Sequence, residues 1–339
     1  MSSPGEPRRR PTIDDVARAA GVSRGTVSRA LNGGRWVSPE AQHAVDAAVR
    51  RTGYRANAHA RGLRLQRGGA IAFVLGEDVE HLFADPNVAV LLTHVSKALA
   101  EQGHAMVLLL AADTATRQHA LDFLGTGQVD GVMLVSWSRD LTLLDELRAA
   151  GLPVVCCGTP ERRGGDAGWV AADDREGARR MTEHLLSLGR RSVAMIAGPD
   201  DRLGASLRVD GFRDALGDVA AQPAPVEFGD WSERSGAEAM ARLLDSSPGV
   251  DAVFAANDRM AAGAISTLVA AGRRVPEDVA VGGFDDSPAA SAASPAITTM
   301  RQPFERIARE MTRLLLAEID GEQPAHVQLA TEFVRRESA

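Results

Sequence analysis

Lysine is almost missing from this chain: its 339 residues hold Lys97 and no other. That excludes a Gly-rich phosphate loop ending in Gly-Lys. Cysteine is nearly as scarce. Cys156 and Cys157 stand side by side, cannot build a disulfide framework, and read as small apolar fillers of a buried strand in a reducing compartment. No apolar run approaches the ~20 residues that cross a bilayer. Arg8, Arg9 and Arg10 precede no apolar stretch, so residues 1–11 read as a disordered basic tail rather than a secretory signal. A cytoplasmic chain without membrane association is expected. Catalytic signatures are wanting too. The eight histidines show no metal-ligand spacing such as His-Glu-x-x-His, no nucleophile elbow is read, and Gly125-Thr126-Gly127 lacks the preceding strand and third glycine of a dinucleotide loop. Neither an enzyme nor a cofactor or metal is expected.

What is present is unevenly distributed charge. The net charge of −7 divides into a basic head and an acidic body. Residues 1–69 carry 13 arginines against 5 acids, a balance of +8, and the remainder carries 25 basic and 40 acidic residues, a balance of −15. Such asymmetry points to a polyanion for the head and keeps the body off the same surface. The length suits one small domain and one large one.

The head is patterned for three short helices. Thr12 followed by Asp15 spells a capping box, with Val16, Ala19 and Ala20 on one face. Gly21 permits a left-handed stop, and Ser23 caps a second helix over about Arg24 to Asn32. Val27, Ala30 and Leu31 then point inward, and Arg24, Thr26, Ser28 and Arg29 outward. Ser38-Pro39-Glu40 supplies the cap, first-turn proline and first-turn acid of a third helix, stopped near Gly53. Two short helices about a three-residue turn, buttressed by a third, make a helix-turn-helix whose second helix enters the major groove. A three-helix bundle for protein contacts shares that pattern.

The exact residues go further. Thr12-Ile13-Asp14-Asp15-Val16-Ala17, Ala20-Gly21-Val22-Ser23 and Thr26-Val27-Ser28-Arg29-Ala30-Leu31-Asn32 resemble the head of the LacI/GalR family of bacterial repressors, at fixed spacing and without a gap. The match continues through Val37-Ser38, Gly53-Tyr54 and Asn57. The resemblance implies that Arg24, Gly25 and Arg29 read bases in the major groove, assisted by Ser23, Ser28 and Asn32, and that Thr12, Ser38, Tyr54 and Asn57 bind or approach phosphates. Arg24 and Gly25 fall at the family's variable specificity pair. Glycine offers no side chain, so Arg24 carries most of the discrimination, and its fork suits guanine O6 and N7.

Asn57 to Arg64 looks like the family's hinge, a short helix formed on DNA. Ala60 and Leu63 are its expected DNA contacts, Leu63 as a wedge that pries open a minor-groove step. About two turns cannot hold alone in water, and Gly62 costs a further ~1 kcal/mol relative to alanine. Ala56 departs from the family's usual proline. A flexible basic linker is the plain alternative.

From Ala70 apolar runs alternate with helical patterns. Ala70–Leu75, Ala105–Leu110, Gly131–Val135 and Pro153–Cys157 read as buried parallel strands, and Ser192–Ala197, Ala252–Ala256 and Val279–Phe284 as a second set. Two sets predict two similar lobes with a binding site at the strand carboxyl ends. The expected fold is α/β, with an all-α helix-turn-helix head at 12–56 and a two-lobed body with parallel sheets at 70–338, and the family resemblance implies that 57–69 is the hinge and that the body is periplasmic-binding-protein-like. The first lobe is expected at about 70–168 plus 298–327, the second at about 169–297 plus 328–338.

The resemblance implies effector contacts at Phe83, Asp85, Arg208, Trp231, Asn257 and Asp285. In a sugar site Asp85 and Asp285 accept from hydroxyls, Arg208 and Asn257 donate, and Phe83 and Trp231 offer faces to C–H surface. Asp258 and Asp286 read equally well as helix caps or surface acids. Gly158-Thr159 stands where many sugar-responsive members carry a polar ligand, with Trp137 and the Arg162-Arg163 loop as possible replacements. The implied protein is a transcriptional regulator, in the commoner case a repressor, whose homodimer grips a pseudo-palindromic operator in double-stranded DNA. A small effector, with a sugar in first place, switches its affinity. A sugar phosphate, a nucleoside or purine and a phosphoprotein corepressor stay open, as does release against recruitment. Only six residues follow Phe333, too few for the helix that makes some members tetramers, so a dimer is expected. A transport binding protein shares such a body but has no use for Thr12–Asn32.

Overall fold

The structure is a computed structural model that describes residues 11–31, 37–53, 68–76, 85–135, 141–159, 167–217 and 224–339. The chain divides into two compact units, a head up to Gly68 and a body from Gly69.

The head's helices are α1 (Ile13–Ala20), α2 (Arg24–Leu31) and α3 (Pro39–Thr52). Local chemistry sets their ends. Thr12 Oγ1 accepts from the Asp15 amide at 3.3 Å while Asp15 Oδ2 accepts from the Thr12 amide at 2.8 Å, closing the capping box. Ser23 and Ser38 cap α2 and α3 in the same way, at 3.1 and 3.2 Å. Gly21 turns α1 off at φ 67°, a conformation that penalises any side chain. Gly21-Val22-Ser23-Arg24-Gly25 spells Gly-x-Ser-x-Gly, yet a helix precedes it where a nucleophile elbow needs a strand. Val16, Val27, Ala30, Val45 and Ala48 form the small core, lined by Ile13, Val22 and Leu31.

The body's first half runs β1 (Ala70–Leu75), α4 (Pro86–Glu101), β2 (Ala105–Leu110), α5 (Thr114–Leu124), β3 (Gly131–Val135), α6 (Thr142–Ala149), β4 (Val154–Cys157) and β5 (Gly168–Ala172). Next come α7 (Asp174–Ser187), β6 (Val193–Ala197), α8 (Leu203–Leu216), β7 (Val226–Phe228), α9 (Glu233–Ser246), β8 (Ala252–Ala255), α10 (Asp258–Ala270) and β9 (Ala280–Gly282). The last elements are α11 (Pro288–Ala292), β10 (Thr299–Arg301), α12 (Phe304–Ile319), β11 (His326–Leu329) and β12 (Glu332–Val334).

One sheet has the order β11-β5-β4-β3-β1-β2 and the other β7-β6-β8-β9, with every pairing in both parallel. Strand β1 shows why such runs read as unbroken apolar sequence. Ile71, Phe73 and Leu75 pack under α4 and α12, while Ala72 and Val74 on the other face pack under α5 and α6. Two lobes of parallel sheet, as expected, make the body.

The lobe boundaries differ from the expected ones. Gly168–Ala172, expected to open the second lobe, pairs with β4 on one side and β11 on the other and so belongs to the first, as does β11 through Leu329. Thr298–Arg301, expected in the first lobe, joins the second: the Gly283 amide donates to Thr298 O at 2.8 Å and the Asp285 amide to Met300 O at 2.7 Å. Strand pairing, which no local pattern reveals, decides both.

In the second lobe α9 and α10 touch backbone to backbone. A Cβ on Gly263 would fall onto Glu233 O and 2.7 Å from Ala237 N. Gly263→Ala, although worth ~1 kcal/mol to an isolated helix, is expected to destabilise the body by about 1–3 kcal/mol through overpacking. Thermal unfolding checks this, and an unchanged or raised midpoint contradicts the close approach.

Candidate functional site

In the head, α2 presents Arg24, Gly25 and Arg29 exposed, with Ser28 half-buried beside them. The Arg24 Nε stands 3.8 Å from Asp14 Oδ1 on α1, and its side chain is 71% exposed, so the pair is a weak surface tether. A Cβ on Gly25 would meet only Ser23 Oγ, at 3.7 Å, so the position has room for a side chain that this chain does without. Thr12, Ser23 and Ser38 spend their hydroxyls on caps. Asn32, Tyr54, Asn57, Ala60 and Leu63, expected on the DNA, lie outside the described residues.

The body's polar site grows from the carboxyl ends of the strands. Asp174 follows β5, Trp231 follows β7, Asn257 and Asp258 follow β8, Asp285 follows β9 and Gln302 follows β10, while Asp85 and Asn87 open α4. Arg208, on α8, sits in the middle at 6% exposure. A buried guanidinium must be matched by acceptors, because leaving it unpaired costs several kcal/mol. Its Nε donates to Asp174 Oδ1 at 2.8 Å, its Nη1 to Ala256 O, and its Nη2 stands 3.4 Å from Asp285 Oδ1. The guanidinium carbon lies 3.8 Å from the centre of the Phe284 ring and 5.6 Å from that of Trp231.

Each neighbour is itself held. Gln302 Nε2 donates to Asp285 Oδ1 at 2.7 Å and Asn87 Nδ2 to Asp285 Oδ2 at 2.9 Å. Asn257 caps α10 by accepting from the Met260 amide, and its own amide donates to Trp231 O at 3.0 Å. The Trp231 ring lies over Gly198, where a side chain would collide with it. Trp231, Asp285 and Asp286 adopt φ of 73°, 103° and 58°, and non-glycine strain of this kind concentrates at working sites.

Crowded acids shift one another. Burial, opposed by Arg208 and helped by Asp85, pushes the Asp285 carboxyl up to about 6. Burial and the neighbouring Asp285 push Asp258 up to about 8, against hydrogen bonds from Thr299 Oγ1 at 2.5 Å and the Ser287 amide at 2.7 Å. Burial also raises Asp85 and Asp174. Asp286 is different: Arg336 and Arg301 hold it in ion pairs at 2.5 and 2.7 Å, so it acts outside this cluster.

Residues 12–57 match the pattern of bacterial regulatory proteins of the lacI family, and residues 182–339 that of a periplasmic binding protein-like domain. The HTH-type transcriptional regulator CelR of Thermobifida fusca is 42% identical over 98% of this chain and 99% of its own. The chain belongs to the LacI family. A solved complex of a transcriptional regulator CelR with cellobiose superposes at a TM-score of 0.77 with 40% identity, covering 97% of this chain and all of the other. The lac repressor dimer bound to operator and the anti-inducer ONPF gives 0.86 at 26% identity, covering 97% and 99%. These relatives are transcriptional regulators, and this LacI-family protein is one: a helix-turn-helix head for DNA joined to an effector-sensing body. Among the described residues no helix is long and apolar enough to cross a membrane.

Of the residues expected to contact an effector, Asp85, Arg208, Trp231, Asn257 and Asp285 fall in one polar cluster around Arg208, while Phe83, Trp137, Arg162 and Arg163 lie outside the described residues. Sequence reasoning did not assign Asp174, Asn87 or Gln302 to the site. It offered Asp258 as a cap or surface acid, whereas Asn257 is the cap and Asp258 is fully buried.

The raised Asp258 makes stability depend on pH. Between the ordinary carboxylate range and about 8 only the folded protein holds this proton, so folding stability falls as pH rises across that window. Asp258→Asn keeps the shape and removes the titration. Its melting temperature is expected to gain on that of the wild type as pH goes from ~5 to ~8, and parallel profiles would contradict the buried proton.

Proposed function

We propose that this regulator is a cytoplasmic repressor without catalytic activity, that its homodimer holds a pseudo-palindromic operator through two heads, and that a neutral glucose disaccharide of the cellobiose type releases it. The observation that carries the effector reading is the Arg208 cluster: a buried donor fork, the acceptors Asp285, Asp174 and Asp85, and the Trp231 face at one rim. Hydroxyls need acceptors as well as donors, and the C–H face of a pyranose packs on an aromatic ring. The relative CelR is known in complex with cellobiose, and the related lac repressor as a dimer on operator.

Charge separates this effector from the alternatives. Among the described residues, Asp85, Asp174, Asp258 and Asp285 outnumber the neighbouring cations Arg208 and Arg259. Such a surplus suits an uncharged sugar and repels a phosphate, even with a proton retained on Asp258. Switching requires the sugar to favour one arrangement of the lobes over the other, and the operator to favour the second arrangement.

In a gel-shift titration of the full chain on its own upstream DNA, cellobiose is expected to lower operator affinity and cellobiose 6-phosphate to do far less. A stronger response to the phosphorylated sugar would overturn the charge argument. In the head, Arg24→Ala is expected to relax preference at one base pair per half-site by about 1–3 kcal/mol. Operator libraries read this out, and weakening spread evenly over all sequences would make Arg24 a phosphate contact instead.

A further inference from the structure

We infer that Asn87 is a positioning residue that clasps the two lobes through Asp285 and competes with a ligand hydroxyl for that carboxylate. This rests on the cleft being the effector site. Asn87 belongs to the first lobe: it opens α4, whose Val88, Leu91, Val95 and Leu99 lie in the core beneath β1. Asp285 belongs to the second lobe, where its amide bonds Met300 O and its neighbour Phe284 is fully buried. Their side chains meet at 2.9 Å across 198 residues of sequence.

The contact is aimed. The Asn87 amide nitrogen is held at 2.9 Å by Asp85 Oδ1 from its own lobe, which leaves the side chain to reach across. On the other side Gln302 and Arg208 occupy Asp285 Oδ1, so Oδ2 is the oxygen turned to the first lobe, and Asn87 has it. A sugar hydroxyl that takes the Oδ2 lone pair Asn87 holds must part the clasp. The choice of residue suits the task, because a neutral amide bonds a carboxylate without the grip of a lysine or arginine. Asp85 and Asp285 repel each other across the same gap, while Arg259 and Arg208 attract Asp85, so Asn87 offsets a like-charge contact between the lobes.

The test uses the full chain with Asn87→Ala and Asn87→Asp. Hydrogen exchange of the sugar-free proteins comes first. Segments 85–91 and 283–287 are expected to exchange faster in Asn87→Ala and faster still in Asn87→Asp, which adds a third acid to the gap, while β3 and β8 keep wild-type protection. Unchanged exchange in both variants overturns the clasp. Calorimetric titration with cellobiose follows: Asn87→Ala is expected to bind about three- to tenfold more tightly, because one charge-assisted hydrogen bond no longer has to be broken. Weaker binding overturns the competition and makes Asn87 an ordinary sugar contact. Should the wild type take up no cellobiose, the effector assignment has failed, and the exchange experiment still decides the clasp.

Discussion

Arg208 is a cation withdrawn from water in the middle of an acidic body, and the geometry of the cleft follows from the need to neutralise it. Its partners come from separate elements: Asp174 from the start of α7, the Ala256 carbonyl from the end of β8, Asp285 from the loop after β9. A guanidinium is planar with its donors in a fixed fork, so it dictates where each acceptor must lie. The backbone complies at a cost, visible in the left-handed turns of Trp231 and Asp285. Parallel sheets make this arrangement possible, because they deliver every strand-to-helix loop to the same side.

Among the described residues the acids exceed what the cluster's cation can offset. Proton retention on Asp258 and the upward shift of Asp285 show a site short of donors, and a polyhydroxylated ligand brings donors without charge. The first lobe enters through Asp85 and Asn87, so occupancy of the cleft alters what holds one lobe to the other. In a two-headed repressor such a change reaches DNA only if operator and sugar favour different lobe arrangements. The other half of the proposed linkage falls to the basic head, whose exposed Arg24 and Arg29 on α2 suit phosphates and bases.

Legibility in the sequence followed the range of the interactions. Thr12, Ser38, Gly21 and Gly53 announce the helix ends because caps and left-handed stops are settled within four residues. Arg208 and Asp285 were legible through family resemblance, not through local pattern. Strand β5 was not read at all: Gly168-Trp169-Val170-Ala171-Ala172 has no marked alternation, and it is a strand because β4 and β11 flank it. Missing it hid Asp174, the strongest partner of Arg208. Strand β7, of three residues, was lost for the same reason. Asn87 reads as a first-turn polar residue after Pro86, and only the folded chain brings it to an acid 198 positions away.

The central claim is that Asp285 and Arg208 form the switch through which sugar controls DNA binding. Fluorescence anisotropy of labelled operator with Asp285→Asn, titrated with cellobiose, tests it most directly. Whatever its operator affinity without sugar, the variant is expected to show little or no release when cellobiose is added. Release at wild-type sugar concentrations would contradict it.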